Sequence, residues 1–334
     1  MSETMSPRLI GPLLALLSFG LYATHDAVVK LLGGSYSPIQ IVFFSVLFAF
    51  PLATLLLMQE KSAATLRPVN PGWVALRTVA AVATGVSGFY AFTVLPLAEA
   101  YALIFASPLL ITVLSIPILG ESVGRHRWAA VLVGLFGVMV VLRPGATALT
   151  LGHAAALMAA LGHATASVIS RKIGNQERGV VMVLYPMMVN VVLMGCLLPS
   201  VYVPMPLVDL GLTAVIAGLG FTAGLIIITA FRQSDAAVVA PMHYSQILWA
   251  ALYGWLFFDE TGDTATWIGA GIIIASGLYV VLREAGGASE NSPVLKARTR
   301  LETGTSPRIA AAIRARAAQM PPGYQALANR DKRQ

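Results

Sequence analysis

Ten apolar runs, each long enough to cross a bilayer as a helix, limit what this chain can become more than any other feature. They lie at about 9–32, 39–58, 73–94, 97–119, 126–142, 151–171, 180–202, 208–231, 235–258 and 264–282. A hydrocarbon core needs about 20 apolar residues in helical form. The runs are continuous and rich in Leu, Ala, Val and Ile. In lipid every backbone amide must be bonded within its own segment, so such a run is a helix. A barrel strand would alternate polar and apolar residues over about ten positions. None of the ten runs does so. With 11% charged residues, the chain has too few charges to solvate the surface of a soluble protein of 334 residues. The fold expected is an all-α integral membrane protein of ten transmembrane helices.

Charge fixes the orientation. With the N-terminus in the cytoplasm, all of the 22 Lys and Arg except Lys30 and Arg143 fall on the inner side. Nine of them belong to the last fifty residues (Lys296, Arg298, Arg300, Arg308, Arg314, Arg316, Arg330, Lys332 and Arg333). The formal charge of +7 therefore reads as topology control and not as a nucleic-acid face. The single Cys196 allows no internal disulfide and no metal spacing. The first run is too long for the core of a signal peptide and reads as the first membrane helix. The expected organisation is a cytoplasmic segment 1–8, a five-helix unit 9–144, a second unit 145–283, and a basic, largely disordered tail 284–334. The expected location is the inner (plasma) membrane with both ends cytoplasmic.

The two units resemble each other. Tyr22–Lys30 aligns with His163–Arg171 at an offset of 141, and Val140–Arg143 with Val280–Arg283 at 140. Gly137 matches Gly277, and Gly88 and Glu99 match Gly224 and Asp235. Five helices is an odd number, so the second copy enters the membrane upside down. Arg125, His126 and Arg127 follow the fourth helix, whereas Asp259, Glu260 and Asp263 follow the ninth. The change of sign agrees with an inversion. Inverted repeats are the usual construction of alternating-access carriers, with the site between them near mid-membrane.

The segment Leu95–Gly145 carries Pro96-Leu-Ala-Glu-Ala100, Ser107-Pro108, Leu119-Gly-Glu121 and Arg143-Pro-Gly145, and Phe258-Asp-Glu260 follows in the second copy. Over about residues 9–284 the chain resembles the EamA-domain permeases of the drug/metabolite transporter superfamily. The resemblance implies two inverted-topology five-helix repeats and a transporter. It leaves the substrate open, since the group includes carriers of amino acids, nucleoside-like cofactors, vitamins and drugs. Ser45 departs from the resemblance, standing where many such relatives carry an Arg. So does Ser245-Gln246, at the place of Ser107-Pro108.

Ionisable groups inside a membrane helix cost about 2.5–3.5 kcal/mol on insertion scales, so each invites a function. His25 and Asp26 in the first helix can exchange a proton coupled to transport, with Tyr22 one turn before them; alternatively Asp26 pairs with Lys30 four residues on. Glu99, near Tyr101, can bind an amine or a proton, or complement the dipole of its helix. His163, His243, Tyr244, Gln246 and Trp249 suit an amphipathic metabolite with a ring or an amine; the alternative is interhelical hydrogen bonding. Arg77 and Arg232 are expected to snorkel to the water. Glu121, Asp259 and Glu260 read as structural or gate-closing residues at helix ends. Gly85, Gly88, Gly220 and Gly224 would allow close helix approach. Neither a phosphate-binding loop nor a nucleophile elbow occurs. No enzyme activity, cofactor, metal or nucleic-acid partner is expected, and the protein would act as a monomer or homodimer. A secondary-active carrier of a small metabolite, driven by a gradient or by exchange, fits best; a lipid-modifying membrane enzyme and a channel are the alternatives.

Overall fold

The computed structural model describes residues 7–58, 66–145, 148–234 and 236–286. Expectations for residues 1–6, for Lys61, for Asp235 and for the tail beyond 286 fall outside them. Among the described residues, nine helices are long and apolar enough to cross a membrane, and nine of the ten runs are thereby accounted for. They include α1 (Pro7–Gly33), α2 (Pro38–Met58), α3 (Pro71–Val94), the pair α4 (Leu97–Ile104) and α5 (Ser107–Leu119), α6 (Arg125–Leu142), α7 (Leu151–Ile173), α8 (Gly179–Leu197) and α9 (Leu207–Gln233). The remaining run, the ninth, is broken: α10 (Ala236–Val239) is followed by a 3-10 segment, Ala240–Tyr244, and then by α11 (Ser245–Phe258). The last span, α12, runs from Thr264 to Gly286, slightly past the expected end of the second unit.

The starts of the helices follow local chemistry. Pro38 and Pro71 stand at first helical positions, where the missing N–H costs nothing. Thr150 and His153 form a reciprocal cap at the start of α7. Asp263 caps α12, its Oδ1 accepting from Thr266 N–H at 2.8 Å. Gly120, with φ of 74°, ends α5 in the left-handed conformation that a side chain resists. The turn after α8 is pinned by Gln40, which donates to Val203 C=O at 2.7 Å and accepts from Val203 N–H at 2.9 Å.

The packing follows a two-fold pattern. α1 lies against α9 as α3 lies against α7; α2 meets α8; α6 meets α12. At the last of these contacts, Gly137 and Gly269 let the backbones touch. A Cβ on Gly269 would sit 2.7 Å from Gly137 O, and Ser276 Oγ donates across the joint to Ala130 C=O at 2.8 Å. Such small-residue crossings replace hydrophobic association, which lipid removes. The α3–α7 joint needs Gly162, whose added Cβ would lie 2.8 Å from Ala80 O. It does not need Gly88, whose added Cβ would meet only Ala159 at 3.9 Å.

The last broken span mirrors the first. The fourth span is interrupted at Phe105-Ala106, and α5 restarts at Ser107; the ninth is interrupted over Ala240–Tyr244, and α11 restarts at Ser245. The two serines stand at related places in the two repeats. In carriers built this way the site is formed where spans are discontinuous.

Candidate functional site

Three helices converge at these interruptions. α1 brings His25 and Asp26, α4 brings Tyr101, and α11 brings Gln246; all four are fully buried. His25 Nδ1 lies 2.6 Å from Asp26 Oδ1. Tyr101 O–H donates to Asp26 Oδ2. Gln246 Nε2 donates to the Tyr101 oxygen at 3.3 Å. The carboxylate thus has a partner on each oxygen, and charge-assisted bonds of about 1.5–3 kcal/mol each offset its desolvation. Asp26 does not pair with Lys30, as the four-residue spacing had suggested. Lys30 Nζ instead reaches Glu260 Oε1 and Leu95 C=O, both at 2.6 Å.

Aromatic rings enclose the polar chain. Phe89 stands edge-on to His25 at 5.8 Å. Phe92 and Phe105 flank Tyr101 at 5.3 and 5.7 Å. Phe105 also packs on His243 and Tyr244, at 5.1 and 5.2 Å. Phe19 lies 5.0 Å from His243. Of the residues singled out in the sequence, His25, Asp26, Tyr101, His243, Tyr244 and Gln246 therefore meet at one place. Their buried atoms with no hydrogen-bond partner among the described residues include His25 Nε2 and Gln246 Oε1.

The other candidates lie around this centre. Tyr22, 1% exposed, packs with Phe19 and Met242 beside α9. Trp249 lies against Gly20 and stacks on Tyr253 at 6.2 Å; Tyr253 in turn bonds Thr24 of α1 at 2.9 Å. His163 is buried on α7, beside the Gly162 joint with α3. Glu99 belongs to a different group. Its Oε1 lies 2.9 Å from His153 Nε2, next to a cavity of about 140 Å³ that Glu260 and Asp263 also line.

Arg77 corrects an expectation. It does not snorkel: it is 1% exposed, its Nε donates to Ser170 Oγ at 2.7 Å, and an Nη donates to Met182 C=O. The guanidinium joins α3 to α7 and α8. His153 and the rings of Phe89, Phe92 and Phe105 were not singled out in the sequence. The Thr150–His153 spacing was the available signal for the first; nothing in an apolar run marks a ring that lines a site.

Ion pairs hold both ends of the bundle. At the end where α1 finishes, Lys30 meets Glu260, Glu260 Oε2 accepts from Leu97 N–H at 2.9 Å, and Arg143 pairs with Asp263. At the opposite end, Arg171 of α7 pairs with Glu121, and Lys172 donates to Ile118 C=O at 2.6 Å. Asp263 sits in the turn before α12. The hydrogen bond with Thr266 and the Arg143 guanidinium hold its carboxyl below the usual aspartate value.

Known proteins give this geometry a family. An S-adenosylmethionine uptake transporter of Rickettsia bellii (strain RML369-C) is 25% identical over 85% of this chain and 97% of its own. A riboflavin transporter of Rhizobium johnstonii is 28% identical over 72% of this chain and 78% of its own. The pseudopaline exporter CntI of Pseudomonas aeruginosa (strain UCBPP-PA14) is 28% identical over 80% and 94%. A crystal structure 21% identical in sequence matches 85% of this chain and 99% of its own with a TM-score of 0.55, a likeness of fold alone. The family model for EamA-like transporters matches twice, over residues 9–143 and 150–282, the two halves that the packing relates. The chain is an all-α, multi-span membrane protein, and it belongs to the EamA-like transporter family.

Proposed function

We propose that the protein carries its metabolite by alternating access, through a path between the two repeats that passes the Asp26 centre. The observation that carries this reading is the hydrogen-bonded chain His25–Asp26–Tyr101–Gln246, which ties α1 and α4 of one repeat to α11 of the other. A buried carboxylate that two repeats share is placed to change partners when the repeats move. Substrate and proton compete for Asp26, and the proton gradient drives net flow. That the named relatives are transporters supports a carrier rather than an enzyme. The relatives are named for uptake in one case and export in another, and this chain is given no direction from them.

The same reading places the chain in the inner membrane, with units 9–144 and 145–283, both ends in the cytoplasm and the Lys30 end outside. The one-sided distribution of Lys and Arg supports that orientation. Labelling of cysteines placed at the two chain ends tests it, and ends found on opposite sides overturn it. Purified protein in liposomes tests the function. Saturable flux with counter-exchange is the expected result; turnover of a lipid without flux removes the reading.

A further inference from the structure

The direction of the hydrogen bonds around Asp26 specifies the kind of group the site accepts. An ionised Asp26 only accepts hydrogen bonds. The Tyr101 hydroxyl has one hydrogen, and it is committed to Asp26. The tyrosine oxygen must then accept from Gln246, which fixes that amide with its NH2 towards Tyr101 and its Oε1 away. His25 donates to Asp26 through Nδ1, so in the neutral ring Nε2 is also an acceptor. Gln246 Oε1 and His25 Nε2, two of the atoms left without hydrogen-bond partners, are therefore both acceptors, each on a fully buried side chain. Gln246 carries this assignment in either protonation state of His25.

Resting on the transport reading above, we infer that this site takes the amino or ammonium group of its substrate. A donor-rich cation supplies hydrogens to Gln246 and His25 and a charge of opposite sign to Asp26. The rings of Phe105, Phe92 and Phe89 add the faces and edges on which an ammonium and a flat attached group both rest. A carboxylate or phosphate at the same place meets two acceptors and a like charge. Zwitterionic substrates enter amine first.

Three probes of one shape separate these cases: phenethylamine, its neutral N-acetyl derivative, and 3-phenylpropanoate. Binding to the full chain in lipid nanodiscs is read at neutral pH by tryptophan fluorescence and by thermal shift. Phenethylamine binds at least about tenfold more tightly than the other two, the worth of one charge-assisted hydrogen bond. Gln246→Leu loses about tenfold in amine binding. If Gln246→Leu fails to fold, His25→Phe gives the second reading of the same loss. Tightest binding of the propanoate, amine binding indifferent to these changes, or no binding of the amine at all overturns the inference. The transport reading fails by a separate observation, the lack of any exchange flux in liposomes. Flux that persists with a preference for the anion overturns the donor assignment alone.

Discussion

Lys30 Nζ, near the end of α1, lies 2.6 Å from Glu260 Oε1, in the turn after α11. Its repeat-related counterpart is Arg171, near the end of α7, whose guanidinium pairs with Glu121 after α5. The same device thus closes opposite ends of the bundle, once from each repeat. Both pairs are mostly buried, with side-chain exposures of 11% and 18% in the first and 13% and 13% in the second. Ion pairs so placed are stronger than exposed ones, yet solvated enough to break and reform.

A carrier that alternates must break one pair while the other holds. Glu260→Gln weakens the Lys30 end and shifts the population toward opening there; Glu121→Gln shifts it the other way. In a Cys196→Ser background, labelling of Thr24→Cys by an impermeant thiol reagent added at the Lys30 side rises several-fold in the first variant and falls in the second. A shift of about 1.4 kcal/mol changes the population ratio tenfold. Equal labelling in both variants counts against the pairs as gates.

Charge reversal separates gating from folding. Lys30→Glu alone places two carboxylates together and slows exchange flux about tenfold or more. Lys30→Glu combined with Glu260→Lys restores much of the flux. A double variant no better than either single one shows that the geometry, and not the charge, matters.

The α6–α12 crossing tolerates no bulk. Gly269→Val pushes a side chain into Gly137 O and Val141, and overpacking of that kind costs about 1–3 kcal/mol. Thermal unfolding in detergent shows a clear fall in Tm. Gly218→Ala, where an added Cβ meets nothing within 4 Å, leaves Tm close to that of the parent.

Asp263 gives a pH dependence whose sign is fixed. Its folded value is depressed by the Thr266 hydrogen bond and by Arg143. Its contribution to stability is therefore complete above the ordinary aspartate value of about 3.9, and it is lost as the pH falls through the lower folded value. The Tm difference between the parent and Asp263→Ala stays constant from neutral pH to about pH 5 and vanishes in stronger acid. A difference that grows on acidification contradicts this assignment.

Much of the fold was legible because lipid makes the pattern severe. Each span must be long, apolar and helical, and Lys and Arg must sort by side. The breaks in the fourth and ninth spans were not legible as breaks. Ser107-Pro108 and Ser245-Gln246 stood out only as unlike motifs, although both serines restart a helix. Asp26 was evident as a buried acid, but its partners were not. Tyr101 and Gln246 lie 75 and 220 positions away, and only packing brings them to its side. Arg77 misled for a related reason: an arginine near a helix end usually reaches water, and here Ser170 and Met182 hold it inside. Glu99 found a partner, His153, that apolar periodicity gives no cause to suspect.

The measurement that bears most directly on a carrier working through Asp26 is flux in liposomes by Asp26→Asn, with a proton gradient and with substrate exchange run side by side. Asparagine keeps the shape and can still bond Tyr101, so the variant should insert and fold. Concentrative transport driven by the gradient is abolished, while the protein reconstitutes at the parent's level and Tm. Gradient-driven accumulation equal to the parent's would contradict the account.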